Sequence, residues 1–350
     1  MQQRRLGRSG PVVSSLCLGT MTFGQQTDEA EAFAILDRAI EAGINFLDTA
    51  EMYPVPPRAP TQGATETIIG NWLQRRGRRD DLVIATKVCG RSSYDWFRDD
   101  GSPTRLTRPQ IVEAVDKSLR RLRIERIDLY QIHWPERVVS DWGTVPSRFK
   151  PFTPSPDETA VEEIAAVFAD LIAAGKIAHF GLSNESPYGL MRFIAASERG
   201  IGPRPLSVQN AYSLVNRTWE GGLAEIALRE DIGLLPYSSL AQGYLTGKYL
   251  GGALPEKSRK ALFNRLQRYE KPYADAAMAA YVAAARDFGV DPATFALAFA
   301  VNQPTVASVI IGPSALDQME SNLAAGSLAW TETMQAAVDD LHQRFGNPCP

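Results

Sequence analysis

Four side chains able to move a proton or hold a developing charge stand at or just beyond the ends of short apolar runs. Asp48 closes Asn45-Phe46-Leu47-Asp48, Lys87 comes two residues after Leu82-Val83-Ile84-Ala85, and His133 follows Ile127-Asp128-Leu129-Tyr130-Gln131-Ile132. Tyr53 lies five residues after Asp48. A phenol, an ammonium, a carboxylate and an imidazole together can carry general acid–base chemistry and stabilise negative charge on oxygen. Any one of them alone would read as structure: a rim aromatic, an ordinary ion pair, a hydrogen-bonded histidine at a strand end. Three of them at successive strand ends, with Tyr53 in the loop after one, are a far more specific signal.

The elements that must position them follow from periodicity. Further apolar runs are Ser15-Leu16-Cys17-Leu18, Ala178-His179-Phe180-Gly181-Leu182, Leu206-Ser207-Val208-Gln209, Gly233-Leu234-Leu235-Pro236-Tyr237 and Ser308-Val309-Ile310-Ile311, making eight strands. Between them, residues 28–42, 65–76, 109–122, 159–174 and 219–230 repeat apolar residues every three or four positions, as in Ile111, Val115, Leu119 and Leu122. Thr107 with Pro109 marks one helix start, and Gly43 and Gly175 mark two helix ends. Strict alternation of strand and helix predicts a parallel sheet, and eight repeats suit a closed (β/α)8 TIM barrel of the α/β class better than an open doubly wound sheet. Gly7-Arg8-Ser9-Gly10 between two short strand patterns predicts an N-terminal β-hairpin, and residues 331–345 predict an additional C-terminal helix. Residues 1–350 are expected to form one domain.

Inserts at 89–105 and 135–156 fall after strands, on the face where such barrels carry their chemistry. The second holds Trp142, Pro146, Phe149, Pro151, Phe152, Pro154 and Pro156, a composition suited to an ordered lid. A third irregular stretch runs from 242 to 269.

Bulk properties narrow the function. With 44% hydrophobic and 22% charged residues the chain has ordinary globular composition. A net charge of -3 with scattered Lys and Arg gives no basic stripe for nucleic acid. No stretch nears the roughly 18 apolar residues of a membrane span, and the N-terminus has no uninterrupted apolar segment, so neither membrane insertion nor secretion is expected. Cys17, Cys89 and Cys349 are odd in number and widely spaced, which fits a reducing cytoplasm and suggests neither disulfide nor zinc. Cys89, near the motifs, reads as a small buried hydrophobe. No G-x-G-x-x-G follows an early strand, and Gly243-Tyr244-Leu245-Thr246-Gly247-Lys248 fails as a phosphate loop in spacing and in Tyr249. Glu51 and Glu66 raise a glycosidase alternative on the same barrel, but Glu66 sits in a helical pattern, where a local anchoring role fits better.

Leu18-Gly19-Thr20, Phe46-Leu47-Asp48-Thr49-Ala50-Glu51-Met52-Tyr53, Ala85-Thr86-Lys87, Asp128-Leu129-Tyr130-Gln131-Ile132-His133-Trp134, Gly181-Leu182-Ser183-Asn184, Gln209-Asn210 and Pro236-Tyr237-Ser238 occur in one order along nearly the whole chain. In these motifs the sequence resembles the aldo-keto reductase superfamily. Tyr53-Pro54-Val55-Pro56-Pro57 with Thr61-Gln62-Gly63 looks like the bacterial Tas-type branch, within a broader group that includes potassium-channel beta subunits. Pro54, where many members have glycine, departs from the common pattern and bears on loop shape alone.

The resemblance implies reduction of an aldehyde or ketone by hydride transfer from NADPH, with Tyr53 as general acid. A free tyrosine titrates at about 10 and is a sluggish acid at neutral pH. A neighbouring Lys87 would lower that value, Asp48 would orient Lys87, and His133 would hydrogen-bond the substrate oxygen, with Trp134 forming a wall. By the same resemblance Ser183, Asn184 and Gln209 would bind the nicotinamide carboxamide and Tyr237 would stack on its ring. Ser238, Leu240, Gly243 and Leu245 match the pyrophosphate loop, and Lys248, Ser258 and Arg259 the adenosine 2′-phosphate site, which favours NADPH/NADP+ over NADH. Gly312, Ser314, Gln318 and Asn322 match the last cofactor loop, while Ser321 replaces a glutamate that often contacts adenine. The substrate is expected to be a small carbonyl compound chosen by the inserts with Trp96, Phe97, Trp142 and Phe149, with homo-oligomerisation left open. The channel subunits suggest an alternative, an NADP(H)-binding redox-sensing regulatory subunit with little turnover.

Overall fold

The computed structural model describes residues 1–139, 153–264 and 267–349. It begins with a hairpin of β1 (Gln3–Arg5) and β2 (Val12–Ser14), paired antiparallel. Eight strands follow: β3 (Leu16–Gly19), β4 (Phe46–Asp48), β5 (Val83–Val88), β6 (Ile127–Ile132), β7 (Ile177–Ser183), β8 (Ser207–Gln209), β9 (Gly233–Leu234) and β10 (Val309–Ile311). They form one parallel sheet in the order β10-β3-β4-β5-β6-β7-β8-β9. Its two ends are linked by backbone bonds: Leu234 N–H donates to Thr305 O at 2.8 Å, Ala307 N–H to Leu234 O at 2.9 Å, and Ile310 N–H to Pro236 O at 2.9 Å. The sheet is thus curled into a TIM-barrel-like arrangement.

Alternation along each strand divides the side chains. Cys17, Phe46, Val83, Ala85 and Leu129 face inward and form a cluster with Leu6 and Val13 of the hairpin, which packs against one end of the curled sheet. Gly7 makes that approach feasible, since a Cβ there would lie 2.6 Å from Leu206 O and its φ is +61°. Leu16, Leu18, Leu47, Ile84 and Tyr130 face outward into the larger cluster with the helices.

The helices are α1 (Glu29–Glu41), α2 (Ala64–Arg76), α3 (Arg108–Leu122), α4 (Val161–Ala173), α5 (Pro187–Glu198), α6 (Leu223–Glu230), α7 (Arg259–Phe263), α8 (Ala274–Asp287), α9 (Pro292–Val301), α10 (Asp317–Ala324) and α11 (Glu332–Phe345). Local chemistry starts and stops them. Asp28 accepts from Glu31 N–H at the head of α1, Ser186 from Gly189 N–H at α5 and Asp291 from Thr294 N–H at α9. Gly43 and Gly175 follow α1 and α4 with φ of +87° and +72°, as their glycines predict. None of the described helices is long and apolar enough to cross a membrane.

Departures from the sequence reading have local causes. The seventh barrel strand is only Gly233–Leu234, although backbone bonds to the β8 side continue beyond it, Leu235 N–H donating to Val208 O at 2.9 Å and Tyr237 N–H to Asn210 O at 3.1 Å. Residues 218–221 form a 3₁₀ turn, so the helix expected from 219 begins at Leu223. The irregular stretch 242–269 contains short α7. Helix α9 escapes periodicity analysis because Ala293 through Val301 are all buried, leaving no polar face to create a period. Trp142, Pro146, Phe149, Pro151 and Phe152 lie outside the described residues.

An aromatic chain ties β6 and β7 to α4 and α5. Phe168 stands 5.7 Å from Tyr130 and 4.4 Å from Phe180, which is 5.4 Å from Phe193. Phe168→Ala is expected to lower unfolding free energy by about 3–5 kcal/mol, against less than about 0.5 for Leu228→Ala on the exposed face of α6. Urea denaturation of both variants measures the contrast.

Candidate active site

Asp48 and Lys87 meet at the mouth of the curled sheet. Lys87 Nζ donates to Asp48 Oδ2 at 2.6 Å and to Thr49 O at 2.7 Å; Lys87 is fully buried and Asp48 is 2% exposed. The other carboxylate oxygen, Oδ1, accepts from Gln209 Nε2 at 2.9 Å and Gln131 Nε2 at 3.1 Å. Every polar atom of this buried pair thus has partners, which is what makes burying the two charges tolerable. Lys87 lies one residue before the end of β5, not at its end.

Tyr53 and His133 stand over the pair. Lys87 Nζ is 5.0 Å from the centre of the Tyr53 ring, and the Tyr53 and His133 rings meet edge-to-face at 5.7 Å. His133 N–H donates to Val88 O at 2.9 Å, carrying the β5–β6 ladder one step past the strand, while its Nδ1 is buried without a partner among the described residues. Trp134 packs 5.0 Å from His133 and donates through Nε1 to Arg91 O at 2.9 Å. Gly90 makes this possible, because a Cβ there would collide with the Trp134 carbonyl.

Burial and charge set the proton affinities. Burial works against the charge on Lys87, yet Asp48 and Tyr53 outweigh it and raise its pKa above the ordinary lysine value. Burial also raises the Tyr53 phenol, and the Lys87 charge offsets only part of that rise. The expectation that Lys87 makes Tyr53 more acidic than a free tyrosine is therefore corrected: Lys87 pulls in that direction, but desolvation wins. His133 is driven well below the usual imidazole value by burial and by Lys87.

Two more buried ion pairs hold the surrounding loops. Glu51 takes Arg98 at 2.9 and 3.0 Å, and its Oε1 also accepts from Cys89 N–H at 2.8 Å. Glu66 takes Thr86 Oγ1 at 2.6 Å and Arg121 at 2.7 Å. Both carboxylates tempting for glycoside chemistry are thus consumed in structural pairs. Burial and Glu51 push the Cys89 thiol well up, consistent with an inert buried hydrophobe. Tyr53, Cys89 and Trp134 join Ala50, Met52 and Phe97 in an apolar cluster flanked by Met21, Val55 and Tyr94.

The first group of expected cofactor residues is wired to the tetrad. Ser183 Oγ donates to Gln209 O at 2.8 Å, Asn184 Nδ2 to His133 O at 2.8 Å, and Tyr237 OH to Asn184 Oδ1 at 2.7 Å. The second group lies along a back-folded loop. Gly243 N–H donates to Leu240 O at 2.8 Å, Ala241 N–H to Ser238 O at 2.7 Å, and Leu245 is buried. Ser258 caps α7 by accepting from Ala261 N–H. Lys248 is close enough to Arg259 for that charge, after burial, to lower its pKa. Gly312 and Ser314 precede α10, which carries Gln318 and buried Asn322; Ser314 O accepts from Thr27 Oγ1 at 3.0 Å.

The aldo/keto reductase family model matches residues 15–343. This chain belongs to the aldo/keto reductase family. It is 44% identical over its whole length to protein Tas of Escherichia coli (strain K12), of which it covers all. It is 31% identical to the uncharacterised oxidoreductase YrpG of Bacillus subtilis, over the whole chain and 98% of that protein. Over 93% of the chain it is 31% identical to a probable voltage-gated potassium channel subunit beta of Arabidopsis thaliana, 91% of which is covered.

In this family member the sequence reading passed over two residues at the site. Gln131 was signalled by an amide inside an apolar strand, in phase with Leu129 and His133. Arg98 carried no signal, since its partner Glu51 lies 47 positions away.

With its pKa depressed, the His133 imidazole stays neutral in the folded protein below the ordinary value of about 6.5, while the unfolded chain takes up the proton there. Folding stability is therefore expected to fall as pH drops below about 6.5, and nitrogen NMR should find His133 neutral at about pH 6. An ordinary titration of His133 in the folded protein would contradict this.

Proposed function

We propose that this chain reduces an aldehyde or ketone to an alcohol with NADPH as hydride donor, as a single-domain closed (β/α)8 barrel. The observation that supports it most is the convergence of Asp48, Tyr53, Lys87 and His133 on one mouth, lined by the apolar cluster of Met52, Phe97 and Trp134. Neutral His133 would donate to the carbonyl oxygen and polarise it. Tyr53, protonated at neutral pH with burial holding the proton more firmly, would give it to that oxygen as negative charge builds there. Lys87, held charged by Asp48, would stabilise the phenolate left behind until solvent returns the proton. Bound NADPH would supply the hydride to the carbonyl carbon and leave as NADP+. Bond making then balances: one hydride to carbon, one proton to oxygen, an alcohol released.

The residues present fit that cofactor. Ser183, Asn184 and Gln209 offer polar atoms beside His133 and Asp48, and Tyr237 presents a half-buried ring next to Asn184. Ser238, Leu240, Gly243 and Leu245 would follow the pyrophosphate. Gly243, at φ +101°, leaves room that a Cβ would take from the Lys248 side chain at 2.6 Å. Lys248 and Arg259, two like charges brought together near Ser258, suit a dianion such as the 2′-phosphate. Gly312, Ser314, Gln318 and Asn322 would border the adenosine end. Three buried, unpaired cysteines fit a reducing cytoplasm. The regulatory-subunit alternative draws on the 31% identical channel-subunit relatives, and no contact at the site favours it.

Tyr53→Phe is expected to lower carbonyl-dependent NADPH oxidation by about 10²- to 10⁴-fold while leaving NADPH binding intact, read by absorbance and fluorescence titration. Full activity in that variant would remove Tyr53 from the role of acid. Lys248→Ala with Arg259→Ala should weaken NADPH binding by roughly 10- to 150-fold, the value of about 1.5–3 kcal/mol for a charge-assisted bond, and leave NADH binding nearly unchanged. Equal losses for both cofactors would reject the 2′-phosphate assignment.

A further inference from the structure

Gln131 is fully buried in β6, beside Lys87 on β5 and Gly181 on β7 in the sheet register. Gly181 opens the space the amide crosses: a Cβ there would lie 3.2 Å from Gln131 Cγ and 2.8 Å from Ser207 Oγ. Through that space Gln131 Nε2 reaches Asp48 Oδ1 at 3.1 Å, while its Oε1 accepts from Gln209 Nε2 at 3.4 Å. The orientation follows from chemistry, because an ionised carboxylate accepts only and so must be met by the amide NH₂. Gln209 Nε2 occupies the same Oδ1 at 2.9 Å. With two donors on Oδ1, the Lys87 ammonium is directed to Oδ2, where it sits at 2.6 Å with its second bond to Thr49 O.

We infer that Gln131 is a positioning residue for proton donation: by filling Asp48 Oδ1 it confines Lys87 to Oδ2, under the ring of Tyr53. The inference rests on Tyr53 being the acid. Asp48 in turn keeps Lys87 charged. Gln209 alone would leave Oδ1 with one donor and Lys87 free to shift between the two oxygens. Gln131 further ties Asp48 to Gln209, so that any group binding Gln209 acts on the carboxylate through two amides.

Two substitutions in the full chain test this, with Tyr53→Phe run beside them. In Gln131→Glu the introduced carboxyl is nearly isosteric with the amide. It faces Asp48 and Lys87 directly, with Cys17 and Tyr53 next to them and His133 two residues on. When protonated it can still donate to Asp48; when ionised it repels Asp48 and competes for Lys87. Burial beside Asp48 raises its pKa, so kcat should be close to wild type on the acid side and fall by about tenfold or more as pH rises, well before the alkaline limb that loss of the Tyr53 proton gives wild type. Gln131→Met, with no titratable group, should lose about tenfold in kcat at every pH, with the carbonyl KM and NADPH Kd within about twofold.

The inference is overturned if Gln131→Glu follows the wild-type pH profile, or if Gln131→Met loses NADPH affinity or folded fraction in step with its activity. If Gln131→Glu does not fold, the kcat-against-Kd split of Gln131→Met decides alone. Tyr53→Phe separates the two levels. Full turnover there removes the acid assignment and this inference with it, whereas lost turnover there with an unchanged profile in Gln131→Glu removes the role of Gln131 alone.

Discussion

A lysine with no solvent exposure, 2.6 Å from a carboxylate 2% exposed, is the constraint around which the rest of this molecule is arranged. Each charge alone would be expelled from such a place at a cost of several kcal/mol, so the pair persists only if every remaining lone pair and proton is met. The fold meets them from four strands or their continuations. Asp48 and the Thr49 carbonyl come from β4 and just beyond it, Lys87 from β5, Gln131 from β6 and Gln209 from β8. A flat sheet would hold β4 and β8 far apart; curling it brings Gln209 across to Asp48, 161 residues away in sequence.

The loops around the pair are held by the same device on a smaller scale. Glu51 reaches Arg98 and the Cys89 amide, linking the segment before Tyr53 to the insert after β5 that carries Tyr94, Trp96 and Phe97. Glu66 joins α2 to β5 through Thr86 and to α3 through Arg121. Breaking one partner of such a pair leaves an uncompensated charge, so these contacts specify where Tyr53 sits more than they add net stability.

The expected cofactor residues divide by distance from this centre. Ser183, Asn184, Gln209 and Tyr237 share hydrogen bonds with the tetrad or with one another, so anything bound among them is coupled to Asp48 and His133. The loop from Ser238 to Arg259 and the start of α10 are separate pieces. They are connected to the first barrel loop by Gln26 to Lys257 O at 3.4 Å and Thr27 to Ser314 O.

Periodicity and motif position were enough to read eight strands, most of the barrel helices, the hairpin and the four residues at the mouth, because alternation and strand-end placement are local properties of the chain. Helix α9 was illegible because total burial erases a period. The pairing of Arg98 with Glu51 and the convergence of Gln131 and Gln209 on one oxygen depend on register and curvature, which no single segment encodes. The net proton affinity of Tyr53 was likewise decided in three dimensions. The sequence by itself determined which groups could act and on which strands they stand. Only the tertiary structure decided which atoms meet and how strongly each holds its proton, because contacts between distant strands and desolvation sum over residues far apart in the chain.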